Sequence, residues 1–182
     1  MKYLITSDLH GSIAALDAVL RHFDAEGCDM LLLVGDLLNY GPRNGLPEGL
    51  DPKAVADALN ARADRIVAVR GNCDSEVDQM LLQFPIMADY AWVVDEGRRI
   101  FLTHGHIYGE ERQPAGGFSL LVQGHTHLPH ITPQLDGSLC LNVGSPTFPK
   151  GGNPPTFAIV DGREVSLRTL DGKIWQRAEM AG

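Results

Sequence analysis

Cysteine is scarce in this 182-residue chain. Cys28, Cys73 and Cys140 are the only three, and none belongs to a Cys-x-x-Cys pair. An odd, unpaired set argues against a disulfide framework and for reduced thiols in a cytoplasmic protein. Basic runs are missing too. With 15 Lys and Arg against 23 Asp and Glu, the net charge is −8. That excludes a binder held to nucleic acid by many phosphate contacts, so no stable nucleic-acid complex is expected. No apolar stretch nears the ~20 residues that a membrane helix requires. The N-terminal run Met1–Thr6 reaches Asp8 too soon for a signal peptide. What remains is an ordinary globular composition, 44% hydrophobic, long enough for one domain over residues 1–182. An acidic chain can still cleave small phosphate esters if bound metals supply the positive charge.

Apolar runs alternate with helical patterns through the first half. Residues 3–6, 30–34 and 65–69 read as buried strands. Ser12 is an N-cap for a helix over Ile13–Ala25, with Leu16, Val19, Leu20 and Phe23 on one face and Gly27 after its end. Asp51 followed by Pro52 opens a second helix to about Ala63, and Ser75 starts a third through Leu82. Strand, loop and helix in that order predict a layered α/β sheet with right-handed crossovers. The second half reads differently. Residues 91–94 and 100–103 form a hairpin, Leu120–Val122 is another short strand, and Asp136-Gly137, Asp161-Gly162 and Asp171-Gly172 are turns between strand-like runs. The expected whole is a two-sheet sandwich with helices outside.

Five polar blocks follow the apolar runs: Asp8-Leu9-His10, Gly35-Asp36, Gly71-Asn72-Cys73-Asp74, His104-Gly105-His106 and His125-Thr126-His127. Together they offer carboxylates, an amide oxygen and imidazoles. That mixture suits Mn, Fe, Co, Ni or Zn and is too rich in nitrogen for a dedicated Mg or Ca cage. Asp-x-His and His-x-His spacing puts alternate side chains on one side of an extended loop. Each block alone has a blander reading. Asp8 and Asp36 also fit as turn residues, and Asn72 as a backbone-bonding turn amide. Five blocks in series favour the site. His22 and His130 read as surface residues, and Cys28 and Cys140 as small buried apolar groups. Arg43 and Lys150 are either surface charges or contacts to a substrate phosphate. Asn39 opens the Gly- and Pro-rich loop that carries Arg43.

The order of these blocks resembles that of the calcineurin-like metallophosphoesterases. The segments Asn39–Asn44, Gly71–Asp78 and Pro149–Pro154 are more narrowly similar to the small bacterial YfcE-type phosphodiesterases. The resemblance implies a four-layer α/β/β/α sandwich and two divalent ions, with Mn preferred. Asp8, His10 and His127 would hold one ion, Asn72, His104 and His125 the other, and Asp36 would bridge them. It implies hydrolysis of a small phosphodiester substrate by a metal-bound hydroxide, with Asn72, Cys73, Asp74 and His104 as the catalytic group and Arg43 and Asn39 on the substrate. His106 would orient a ligand imidazole. A phosphomonoesterase and a non-catalytic scaffold of the same fold are the alternatives. The block at 72–74 has Cys73 where many superfamily members have His, which puts general-acid help from that position in doubt. A homo-oligomer is plausible from the commonness of symmetric assembly.

Overall fold

The computed structural model describes residues 1–181. Eleven strands form two sheets. The six-stranded sheet has the order β11-β10-β9-β1-β2-β3 and the five-stranded sheet the order β4-β5-β6-β8-β7. In chain order the elements begin β1 (Lys2–Thr6), α1 (Ile13–Ala25), β2 (Met30–Leu33), α2 (Pro52–Asn60), β3 (Ile66–Ala68) and α3 (Glu76–Leu81). Then come β4 (Tyr90–Asp95), β5 (Arg98–Thr103), β6 (Leu120–Gln123), β7 (His130–Pro133) and β8 (Leu139–Asn142). The chain closes with β9 (Thr156–Asp161), β10 (Glu164–Thr169) and β11 (Ile174–Glu179).

Side-chain alternation along the strands sorts the core into layers. Leu4, Leu31, Leu33 and Ile159 turn to the helices, where they meet Leu16, Val19 and Phe23 of α1 and Val55 and Leu59 of α2. Their neighbours Tyr3, Ile5, Leu32 and Val160 turn the other way and meet Ile100, Leu102, Leu120 and Val122 of the second sheet. A strand buried on both faces has no polar alternation, which is why β1 and β2 read as continuous apolar runs. On the far face of the second sheet Phe101, Leu121 and Cys140 pack with Trp92, Tyr108 and Phe118. That face is covered by the segment between β5 and β6. The two sheets flanked by helices match the expected fold.

Local signals placed most elements. Ser12 Oγ accepts from the Ala15 N–H at 3.2 Å, and Asp51 Oδ1 from Ala54 at 2.9 Å. At α3 the Ser75 side chain and the Asp78 carboxylate form a capping box. The second helix ends at Asn60, three residues short of the expected end, and residues 63–65 form a 3-10 turn. β7 and β8 are the strand-like runs expected on either side of the Asp136-Gly137 turn, with His130 at the start of β7. His22 is not a free surface residue. Its ring stacks on Phe157 at 4.7 Å and its Nε2 bonds the Leu170 carbonyl. No helix of the described residues is long and apolar enough to cross a membrane.

The topology fixes where chemistry sits. β1, β2 and β3 run parallel, as do β5, β6 and β8. Each of the first five ends in one of the polar blocks. Ligands of open α/β sheets gather at the carboxyl ends of parallel strands, where loops from neighbouring strands converge.

Candidate metal centre

The loops reach their positions through strained backbone. Asp8, His10, Asp36, His125 and His127 all have φ between 48° and 66°. Residues with side chains avoid this region because Cβ crowds the carbonyl, at roughly 1–2 kcal/mol each. Strain of this kind persists where the surroundings over-determine it, and it clusters at functional sites. Three glycines make the convergence possible. A Cβ on Gly71 would strike the Asp36 carboxylate, and one on Gly124 would overlap Ser7 and lie 2.5 Å from Asp8 Oδ2. A Cβ on Gly35 would lie 2.8 Å from His104 Nδ1.

Three imidazoles are locked the same way. His10 Nδ1 lies 2.8 Å from the Asn39 carbonyl, His104 Nδ1 2.7 Å from the Val34 carbonyl and His127 Nδ1 2.6 Å from the Phe148 carbonyl. Carbonyls only accept, so each Nδ1 carries the proton and each Nε2 keeps a lone pair. Those three Nε2 atoms point at one carboxylate. Asp8 Oδ1 is 3.1 Å from His127, 3.6 Å from His10 and 4.0 Å from His104. It is fully buried and has no hydrogen-bond partner among the described residues. A buried carboxylate oxygen facing only lone pairs is costly unless a cation completes the set. The other Asp8 oxygen accepts from His125 N–H at 2.9 Å.

A second group of donors adjoins the first. His104 Nε2 is 3.2 Å from Asn72 Oδ1 and 3.3 Å from His125 Nδ1. Asp36 lies between the two groups, its Oδ2 3.6 Å from His104 Nε2 and 3.8 Å from His10 Nε2. Its Oδ1 accepts from the Cys73 N–H at 2.8 Å. The donor atoms of Asp8, His10 and His127 lie within 4.8 Å of one another, as do those of Asp8, Asp36 and His104. All seven expected ligands are therefore brought together, and the donor set fits divalent metal.

Charge in the site follows from burial and neighbours. Burial pushes the His125 imidazole below its usual range, which favours the neutral ring a metal needs. Burial and the Asp36 charge push the Cys73 thiol up to about 12. Its Sγ accepts from Asn72 Nδ2 at 3.2 Å.

The remaining expected site residues divide. Asp74 faces no cavity. Its carboxylate accepts backbone N–H groups of Asp36, Leu37 and Gly71 at 2.7–2.8 Å, so it positions the loops and does not touch a reactant. Arg43, Asn39, Cys73 and Lys150 line an open cavity of about 730 Å³ beside His10 and Asp36. The Asn39 side chain accepts from Gly41 N–H, and its carbonyl is the His10 partner. His106 lies against His104 and His125, at ring-centroid distances of 5.3 and 6.1 Å. His130 is not a free surface residue, because its Nε2 lies 2.8 Å from Glu110. Sequence reading missed the supports. Ser145 Oγ donates to the Asp8 carbonyl, Thr147 to the Leu9 carbonyl, and Asn142 to Gly124 and Thr126. A hydroxyl or amide carries no sequence mark that says it will be buried.

Known proteins give the same outline. Residues 1–164 match the model of the calcineurin-like phosphoesterase superfamily domain. The chain is 49% identical over 172 residues to the phosphodiesterase YfcE of Escherichia coli K12, covering 94% of this chain and 93% of that one. It superposes on the structure of Yfce, a phosphoesterase from E. coli, with a TM-score of 0.96 and 46% identity over the whole of both chains. A zinc-complexed Vps29 from Entamoeba histolytica superposes with a TM-score of 0.65 at 19% identity, over 98% of this chain and 99% of that one. That last likeness is one of fold. Matched by that family over residues 1–164 and 49% identical to one of its phosphodiesterases over 94% of its length, the chain belongs to the calcineurin-like phosphoesterase superfamily.

Proposed function

We propose that this phosphoric diester hydrolase cleaves a small phosphodiester with two divalent ions held by seven side chains. Asp8, His10 and His127 hold one ion, Asn72, His104 and His125 the other, and Asp36 serves both. The observation that carries the reading is the Asp8 carboxylate, buried, with one oxygen facing only imidazole lone pairs. Mn is the preferred ion, with Zn, Fe, Co or Ni admissible for a set of this softness. Bound there, the ions supply Lewis acidity, acidifying water and neutralising charge on the phosphoryl oxygens. The name of the phosphodiesterase YfcE, at 49% identity, favours a diester over a monoester.

The chain's own groups do the rest. The Asn39, Val34 and Phe148 carbonyls hold the Nδ1 protons of His10, His104 and His127, so these rings keep their orientation through turnover. Arg43 and Lys150, on the cavity wall, attract the phosphodiester and offset charge on a departing oxygen. Asn39 orders the loop that presents Arg43. Cys73 stays protonated and is a weak proton donor, so the enzyme prefers diesters with good leaving groups. The three unpaired thiols suit a cytoplasmic setting.

The test is a panel of monoesters and diesters of nitrophenol, run after chelation and after return of metal. Metal-dependent turnover favouring diesters supports the proposal. Monoester preference moves the assignment to a phosphomonoesterase. Full retention of metal without any turnover moves it to a scaffold.

A further inference from the structure

A second cavity, of about 510 Å³, lies on the other side of His125 and Thr126, which line both. Its size suits one organic substituent, and pockets of this kind are concave with a few directed polar groups. Tyr108, Ile107 and Leu128 contribute apolar wall, and Glu110 paired with His130 closes another side. Gln123 lies on its lining and is 8% exposed. Its Oε1 accepts the Glu110 N–H at 3.0 Å, which pins the loop, and its Nε2 has no partner among the described residues. A donor that is free while its own oxygen is fixed has a defined direction. None of the groups assigned above to phosphate chemistry, other than His125, borders this space.

A diester carries two organic groups, and two cavities meet at one ligand imidazole. Arg43 and Lys150 line the first cavity with one carboxylate, Asp36, whereas Arg112 of the second stands among Glu110 and Glu111, so the excess positive charge lies in the first and offsets the negative charge growing on a departing oxygen. The leaving group therefore belongs in the first cavity. From this we infer that the second cavity receives the retained ester group of the substrate, and that its preferred occupant is a flat heteroaromatic ring bearing a hydrogen-bond acceptor. Tyr108, Ile107 and Leu128 give the ring its apolar surface, and Gln123 Nε2 gives the acceptor its donor. This inference rests on the diesterase reading and adds the substrate class to it.

The test uses three 4-nitrophenyl diesters on the metal-loaded enzyme, in which the retained group is methyl, benzyl or 3-pyridylmethyl. The parent should favour pyridylmethyl over methyl by about tenfold in kcat/KM, chiefly through KM. Leu128→Trp, which fills the cavity, should remove most of that ratio. Gln123→Glu keeps an oxygen for the Glu110 N–H but loses the donor, so it should remove the pyridylmethyl advantage over benzyl and leave benzyl over methyl. A parent without preference among the three, or ratios unmoved in Leu128→Trp, overturns the inference while the diesterase reading stands. An independent readout is saturation transfer from chelator-treated protein to 3-pyridylmethanol, expected for the parent and lost in Leu128→Trp. Its absence from the parent also counts against the subsite. No turnover of any diester with both metals bound sinks the diesterase reading itself, and the inference with it.

Discussion

The two ends of the sheets use the left-handed backbone region for opposite purposes. At the end away from the candidate ligands, the β4–β5 turn holds Glu96 and Gly97 at φ 50° and 81° and the β9–β10 turn holds Gly162 at 58°, with nothing within 4 Å of where a Cβ on either glycine would stand. Glycine there is a turn residue, chosen because the conformation is free of strain without a side chain. At the ligand end, Asp8, His10, Asp36, His125 and His127 hold the same conformation with full side chains, because the side chain is the purpose. The glycines beside them are present for space. Gly71 and Gly124 let backbone press against Asp36 and Asp8. One end carries such strain at Glu96 alone, and the other concentrates it at five residues, where the fold must outweigh it.

Metal removal should give the largest effect. Exhaustive chelation should abolish diester turnover, and returned Mn should restore it. Turnover that survives chelation, checked by metal analysis, would break the assignment at the ligand end. Asp36→Asn should come next, lowering occupancy at both positions, because one carboxylate faces both donor groups.

Gly71→Ala and Gly162→Ala sharpen the contrast between the ends. The first drives a methyl into Asp36 and should lower activity by about 10²-fold, the scale of a 1 Å misplacement. The second has open space and a positive φ, so it should cost about 1 kcal/mol of stability with activity intact. Denaturant melts and initial rates on the same preparations compare them directly. Equal kinetic effects would erase the distinction. Asp74→Asn should lower kcat by about tenfold at retained metal content, because an amide cannot accept three N–H bonds as a carboxylate does.

Cys73→Ala should be the mildest, under tenfold on a nitrophenyl diester, since general acid help from that position is absent already. Abolished activity with both metals bound would give Cys73 a direct part in the reaction.

Sequence alone determined the strands that end in the blocks of Asp8, Asp36, Asn72, His104 and His125, because apolar runs closed by polar blocks leave the candidate ligands no other place than strand ends. It also fixed α1, through the Ser12 cap and a clean apolar face. Tertiary structure decided what a one-dimensional pattern cannot encode. The Asn39, Val34 and Phe148 carbonyls select the tautomers of three histidines, and any residue has a carbonyl, so no side-chain letter marks them. Asp74 shared a block with ligands yet turned inward to backbone N–H groups, because its neighbours curl around it. His130 found Glu110 twenty residues away in the chain, and the second cavity exists only where those two loops meet. Residue types set which chemistry was available, and long-range packing chose which atoms face one another.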